Sequence, residues 1–230
     1  MKNSRNIVIF IGPPGSGKGS LSNLCMEHLK WVQLSTGNLC RIHIAQQTEI
    51  GQQMDQAIRS GKLIADHLII DMVDSWLLEQ NEQTSSIILD GYPRTVAQAQ
   101  ALMSLLKDKL NEFNLHVVRL SISDDQVVLR LGGRSICQNK NCQAVYSLLP
   151  GSSLSPKKEM VCDKCSHSLI RRSDDELEAI KERLKTYYKH ENDLLSYYHG
   201  AGIEIKKVNV EKTLHEVFGE FKILMGMQQL

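Results

Sequence analysis

The chain has 230 residues, 42% of them hydrophobic and 23% charged, which suits a globular protein able to bury a substantial core. Its formal net charge is +1, so no general electrostatic field draws it to nucleic acid or to an anionic membrane, and any bound anion must be caught by local charge. The apolar run at 7–11 is too short for the core of a signal peptide, and no stretch is long enough to span a bilayer. A soluble protein of the reducing cytoplasm is expected, where six cysteines point to free thiols or a metal rather than a disulfide framework.

Apolar, β-branched runs at 7–11, 31–34, 87–89, 117–122 and 203–210 predict five buried strands. Helix-like stretches lie between and after them, at 19–29, 50–59, 67–79, 96–110, 124–131, 174–198 and 214–225. This alternation favours a parallel sheet covered on both faces. It breaks between 132 and 172, a segment rich in Gly, Ser, Lys and Asn that holds four of the six cysteines and both prolines of the second half. That segment is predicted to be an inserted subdomain rather than another strand–helix unit.

Directly after the first predicted strand comes Gly12-Pro13-Pro14-Gly15-Ser16-Gly17-Lys18-Gly19-Ser20, with the phosphate-loop spacing of a glycine, four residues, then Gly-Lys. Glycines let backbone N–H groups turn toward a phosphate, the following helix adds its positive N-terminal end, and Lys18 can reach the outer phosphates. The hydroxyl expected right after the lysine is delayed by Gly19, which leaves Ser20 as the candidate contact to phosphate or to a magnesium shell. A phosphate loop alone names no substrate.

Further motifs follow in order: Ser35-Thr36-Gly37-Asn38-Leu39-Cys40-Arg41, then Gly61-Lys62-Leu63-Ile64-Ala65-Asp66, then Leu89-Asp90-Gly91-Tyr92-Pro93-Arg94-Thr95. With the phosphate loop, these blocks resemble the adenylate kinases over nearly the whole chain, from residue 7 to about 212. Read physically, Asp90 closes a buried strand at the edge of the sheet where ligands gather, and its carboxylate suits the water shell of a magnesium ion. Arg41 and Arg94 offer planar forks for a monophosphate. By resemblance, Thr36 and Gln98 face the acceptor's adenine, Gln98 through its amide edge. Lys62, Leu63, Ile64 and the run Gly91, Tyr92, Pro93, Arg94 line the same ligand. Pyrimidine-accepting relatives usually carry alanine at the position of Thr36, which favours AMP over UMP or CMP.

Arg130 and Arg134 sit one helical turn apart, and Arg172 and Arg183 flank Asp174-Asp175. In the family the matching arginines clamp the triphosphate and the transferring group, Arg172 and Arg183 reaching the AMP side as well. The resemblance also puts Gly12, Gly15, Ser16, Gly17, Lys18, Gly19, Ser20, Val145, Tyr146 and Lys212 on the ATP side. It makes Lys18, Asp90, Arg94, Arg134, Arg172 and Arg183 the catalytic group. Three positions depart from the pattern. Ser135 stands where a second arginine is usual, so one positive charge near the phosphates is expected to be missing, with Arg171 as a candidate substitute. Asn38 replaces an aspartate, and Val208-Asn209-Val210 stands where Val-Asp-Gly is common.

Cys137 and Cys142 are separated by four residues, Cys162 and Cys165 by two, with nineteen between the pairs, which is zinc-ribbon spacing. A small Gly/Ser-rich insertion can hardly build its own core, so a closed four-thiolate zinc site is expected, with a disulfide pair or free thiols as the alternatives. A four-cysteine long lid is also a known variant of the resembled family. Cys25 and Cys40, on predicted helices, read as buried apolar side chains.

These readings combine into one α/β phosphate-loop kinase core spanning 1–230. It has three layers, a five-stranded parallel sheet, a monophosphate-binding insert at 35–64 and a zinc-ribbon-like lid at 133–175. The resemblance implies reversible, magnesium-dependent phosphoryl transfer from ATP to AMP giving two ADP, by a monomer without nucleic-acid or membrane partners. The rivals are a UMP/CMP kinase on the same scaffold, a nucleotide-binding zinc-ribbon protein without turnover, and a degenerate, non-catalytic homologue.

Overall fold

A computed structural model describes residues 5–48, 51–52, 54–55, 64–80, 86–139 and 142–227. In chain order the elements are β1 (Arg5–Ile11), α1 (Lys18–Leu29), β2 (Val32–Ser35), α2 (Thr36–Ala45), α3 (Asp66–Leu78), β3 (Ser86–Asp90), α4 (Val96–Lys109) and β4 (Phe113–Ser121). Then come α5 (Asp124–Gly132), β5 (Arg134–Cys137), β6 (Val145–Ser147), β7 (Leu169–Ile170), a 3₁₀ turn (Ser173–Asp175), α6 (Leu177–Gly200), β8 (Ile205–Asn209) and α7 (Leu214–Leu224).

Five strands form one parallel sheet in the order β2-β3-β1-β4-β8, as the alternation predicts. Strand side chains alternate between two cores, which is why the strands read as continuous apolar runs. Ile7, Ile9, Ile87, Leu89 and Val117 pack on one face with Val73, Leu102, Leu194 and Tyr198 from α3, α4 and α6. Val8, Phe10, Ile88, Val118 and Leu120 pack on the other with Leu21, Cys25, Val217 and Phe221 from α1 and α7. Cys25 and Cys40 are both buried among apolar neighbours, as expected of them.

The chain runs from β1 to one side of the sheet for β2 and β3, then returns to the other side for β4. The loop after β1 therefore opens at the point where strand order reverses, the usual ligand crevice of such sheets.

Helix α2 and strands β5, β6 and β7 lie outside the predicted helices and strands, and two predicted boundaries move by more than two residues. β4 begins at Phe113, four residues before the predicted start, because polar Asn114 and His116 interrupt the apolar pattern; His116 Nε2 lies 3.0 Å from Asn6 Oδ1 on β1, and the Arg5 guanidinium stacks 4.1 Å from the Phe113 ring centroid. The long helix starts at Leu177 rather than 174, since Ser173–Asp175 forms a 3₁₀ turn. The helix predicted at 50–59 lies largely outside the described residues.

A second, antiparallel sheet of order β6-β5-β7 falls within the segment where alternation fails. Its core is Cys137, Ala144, Tyr146, Cys162 and Leu169, with Cys142 and Cys165 packed against it. So few apolar side chains give little burial free energy, and the cysteines make up much of what is there.

Candidate active site

The phosphate loop turns sharply between β1 and α1. Gly15 and Gly17 take φ of 78° and 88°, in the left-handed region that glycine tolerates. Gly17 is also the N-cap of α1, and no side chain caps that helix, so its first N–H groups face the loop's concavity. The Lys18 ammonium folds back over the loop, donating to Gly12 O at 2.6 Å, Pro13 O at 3.0 Å and Ser16 Oγ at 3.3 Å. A Cβ on Gly12 would stand 2.8 Å from Ser16 Oγ and 3.0 Å from Leu120 O, so that position has room for hydrogen alone. Burial pushes the Lys18 pKa down to about 8, with Arg94, Arg183 and Arg134 pushing the same way and Asp90 opposing.

Asp90, the last residue of β3, accepts from Gln33 Nε2 at 3.2 Å and lies beside Gly19 at the start of α1. Gly91 follows with φ 83°; a Cβ there would come within 2.9 Å of both Arg94 Nη2 and Thr36 Oγ1. The Thr36 hydroxyl donates to the carbonyls of Gly91 and Asp90, and Arg94 Nε donates to Gly91 O at 2.8 Å. Arg94 is open to the cleft yet walled by protein, and burial lowers its pKa against the pull of Asp90. Tyr92, joined to Pro93 by a cis bond, is buried and donates to Gln98 O. The Gln98 amide is engaged at both ends: Oε1 accepts from Arg94 N at 2.8 Å and Nε2 donates to Asp66 Oδ1 at 2.7 Å. Ile64 lines the same cleft, while Lys62 and Leu63 lie outside the described residues.

On the opposite wall, Arg134 makes a bidentate pair with Asp175, Nε at 2.7 Å and Nη2 at 2.5 Å. Arg183 Nη1 donates to Asp174 O at 2.7 Å and reaches Asp175 Oδ1 at 3.2 Å. Arg172 has a buried Nε without a hydrogen-bond partner, and burial with neighbouring Arg134 and Arg41 pushes its pKa down to about 9. Arg41 Nη2 donates to Asn38 Oδ1 and its Nε to Gln143 Oε1 at 3.1 Å, a link from α2 to the four-cysteine segment. Arg130 Nη2 donates to Val210 O at 2.6 Å, and Lys212 pairs with Glu220.

These walls enclose a cleft of about 1140 Å³. Pockets for a single drug-sized ligand run to roughly 300–1,000 Å³, so this cleft is larger than one such ligand needs. Lys18, Ser20, Thr36, Arg41, Arg94, Arg130, Arg134, Val145, Arg172, Arg183 and Lys212 all line it. Tyr146 lines it too but is buried, its hydroxyl accepting from Asp163 N at 2.7 Å and lying 3.4 Å from Cys162 Sγ. Its position ties it to the cysteine cluster. Arg171 is exposed and is absent from the lining, so it does not replace a missing cleft charge. Gln33, Asp66 and Gln143 went unassigned from sequence. Asp66 closes a quoted motif, and Gln143 directly follows a cysteine, but single amides and carboxylates carry no spacing signal.

The ligand atoms of Cys137, Cys142, Cys162 and Cys165 all lie within 4.8 Å of one another, with Sγ–Sγ separations of 3.3 Å (Cys137–Cys165) and 3.7 Å (Cys142–Cys162). A tetrahedral Zn–S distance of about 2.3 Å requires sulfurs about 3.8 Å apart, so the donor set fits zinc. All four are free thiols, well beyond the ~2.05 Å of a disulfide.

The adenylate kinase family model matches residues 10–203. The chain is 38% identical to the adenylate kinase of Treponema denticola over 94% of this chain and 97% of that protein. It is 36% identical to the one from Methanosarcina barkeri (96% and 98%) and 35% identical to the one from Archaeoglobus fulgidus (95% and 97%). This chain belongs to the adenylate kinase family. Membership agrees with the cleft: one phosphate loop, a second set of arginines opposite it, and a four-cysteine cluster carried on a small sheet. No helix among the described residues is long and apolar enough to cross a membrane.

Two outcomes follow for this family member. Because Lys18 in the ligand-free protein loses its proton near pH 8 and bound phosphates favour the charged ammonium, ATP binding at that pH should take up protons. Calorimetry in two buffers of different ionisation enthalpy measures this uptake, which Lys18→Met should abolish. A metal held by the four thiols would make a strong chelator lower the melting temperature and expose the four-cysteine segment to protease; an unchanged melting curve contradicts a structural metal.

Proposed function

We propose that the protein catalyses reversible phosphoryl transfer from magnesium ATP to AMP, giving two ADP. The observation that carries this reading is the convergence of Lys18, Arg41, Arg94, Arg134, Arg172 and Arg183 on one cleft whose lining holds nine lysines and arginines against five carboxylates. Such a site calls for polyanions on both walls.

The phosphate loop and Lys18 hold the ATP phosphates, with Arg130, Val145 and Lys212 toward the rest of that nucleotide. Arg41 and Arg94 hold the AMP phosphate. An oxygen of that phosphate attacks the γ-phosphorus in line, the bond to the β,γ-bridging oxygen breaks, and ADP leaves on each side. Arg134, Arg172 and Arg183 balance the charge spreading over the transferring group. No side chain becomes covalently modified. Magnesium, when bound with ATP, neutralises the phosphates; Asp90 and Ser20 are the residues placed to meet its coordination shell. Zinc in Cys137, Cys142, Cys162 and Cys165 would be structural, a closed site with no open position.

We further infer that segments 35–64 and 133–175 move as two covers over a fixed core, excluding water when both nucleotides are bound. A monomer of the cytoplasm, with ATP, AMP and ADP as its partners, completes the reading. The Thr36 hydroxyl, held by Gly91 O, supports AMP over UMP or CMP in that it occupies the position where pyrimidine-accepting relatives carry alanine.

A panel of nucleoside monophosphates assayed with magnesium ATP tests the assignment: AMP should give the highest kcat/KM, and preference for UMP or CMP, or turnover at background, overturns it. Lys18→Met should lower kcat by at least ~10²–10³-fold, the scale for losing one preorganised phosphate donor. Its melting temperature should hold or rise, because the substitution removes a charge that burial disfavours.

A further inference from the structure

The Gln98 side chain is 2% exposed, yet it lines the cleft on the wall that holds Thr36, Ile64 and Arg94. Its amide is bonded in one sense only. Oε1 accepts from the backbone N–H of Arg94, a group that can only donate, and Nε2 donates to the carboxylate of Asp66, a group that can only accept. A flipped amide would face N–H with N–H and oxygen with oxygen, losing both bonds and leaving buried polar groups unpaired. The backbone beneath is fixed as well: the N-cap Thr95 hydroxyl accepts from Gln98 N, and Tyr92 donates to Gln98 O.

Each amide atom keeps one further capacity, a second lone pair on Oε1 and a second hydrogen on Nε2. The edge left for a ligand is therefore an acceptor beside a donor, in fixed order. Adenine offers the complement, an exocyclic amine that donates next to a ring nitrogen that accepts. Guanine offers a carbonyl oxygen next to a ring N–H, the reverse polarity.

We propose that Asp66 is a positioning residue that fixes the polarity of the Gln98 amide, and that it thereby selects an amino-bearing base over an oxo-bearing one at the acceptor site. This rests on the kinase reading above, in which Gln98 faces the acceptor base. Asp66 opens α3, whose N-cap Ala65 has no capping side chain, so its carboxylate also sits at a helix N-terminus. The test must separate these two roles.

In the full chain, kcat/KM for AMP and for GMP with magnesium ATP is compared among wild type, Asp66→Leu and Asp66→Asn. Asp66→Leu removes the acceptor and leaves the amide held at one end only, by Arg94 N, so AMP efficiency should fall about tenfold, chiefly through KM, while GMP holds or gains and the AMP-to-GMP ratio narrows by at least that factor. Asp66→Asn loses the charge but keeps an oxygen that accepts from Nε2, so the amide is again held at both ends and most of the ratio should return. A helix-terminus role predicts instead that both variants lose alike, on AMP and GMP alike. Calorimetric binding of AMP and GMP without ATP reads the same ratio independently of turnover. Should Asp66→Leu fail to fold, Asp66→Ala takes its place. An AMP-to-GMP ratio within twofold of wild type in the acceptor-less variant, or an equal loss in Asp66→Asn, overturns the proposal and leaves the kinase reading standing. A wild-type protein that neither binds nor turns over AMP overturns both.

Discussion

Repulsion between like charges at the cleft is the constraint around which the rest of the molecule is arranged. Lys18, Arg41, Arg94, Arg134, Arg172 and Arg183 feel one another, and Asp90, Asp174 and Asp175 compensate only part of their charge. Two unit charges 4 Å apart interact by about 4 kcal/mol at an effective dielectric constant near 20, so this arrangement is costly without an anion. Burial is the largest cause of the lowered Lys18 and Arg172 pKa values, about 8 and about 9, and the neighbouring arginines push the same way. Asp175 offsets part of the repulsion by taking two hydrogen bonds from Arg134 and another from Arg183. A polyanion in the cleft relieves the remainder, which converts stored repulsion into binding free energy aimed at phosphate.

Holding such groups in place needs rigid supports on both walls. On one wall the support is the parallel sheet, whose central strands β1 and β3 are buried on both faces and end at the phosphate loop and at Asp90. On the other wall it is the small sheet. The pairing of β5 with β7 sets Ile136 opposite Ile170 and Cys137 opposite Leu169. Arg134 opens β5 and Arg172 follows β7 by two residues, near enough for Arg134 to help push the Arg172 pKa down, and the strand pair runs on to Cys137, one of four clustered thiols. The five-residue core of this sheet is small, and a metal among the thiols would supply what apolar burial does not. A metal there would act on the chemistry only indirectly, by bracing the strands next to which the arginines lie.

The sheet, its order of elements and the phosphate loop were legible because buried parallel strands and glycine turns leave strong local patterns. Segments 7–11 and 87–89 are apolar throughout since both strand faces meet helices. The start of β4 was hidden because His116 finds its partner in Asn6 on β1 while Asn114 is exposed, tertiary facts without local signature. α2 was absent from the helix-like stretches because its sequence reads first as a motif, Ser-Thr-Gly-Asn, and the Ser35 cap that starts it is a hydrogen bond to Asn38 N at 3.4 Å. The contact from Gln143 to Arg41 was invisible for a stronger reason. Its residues lie 102 positions apart, and Gln143 adopts φ 46°, a conformation that side chains rarely take. Motifs marked Arg41 as a phosphate ligand; only the fold shows that the lid touches it.

Ser135 shows how strand geometry revises a conclusion drawn from a motif. Counting charges along the sequence, a serine in place of an arginine beside Arg134 removes a cation from the phosphates. In β5, however, successive side chains point to opposite faces, and the burial pattern alternates accordingly. Arg134 lines the cleft and pairs with Asp175, whereas Ser135 is fully buried on the other face, its hydroxyl without a hydrogen-bond partner. A side chain at 135 therefore does not point into the cleft, and Arg134, Arg172 and Arg183 line it with the serine in place. What it changes is the underside of the strand: an unpaired buried hydroxyl costs about 1–3 kcal/mol. The departure from the family pattern falls on the stability of the small sheet, and the charge of Arg134 in the cleft is untouched.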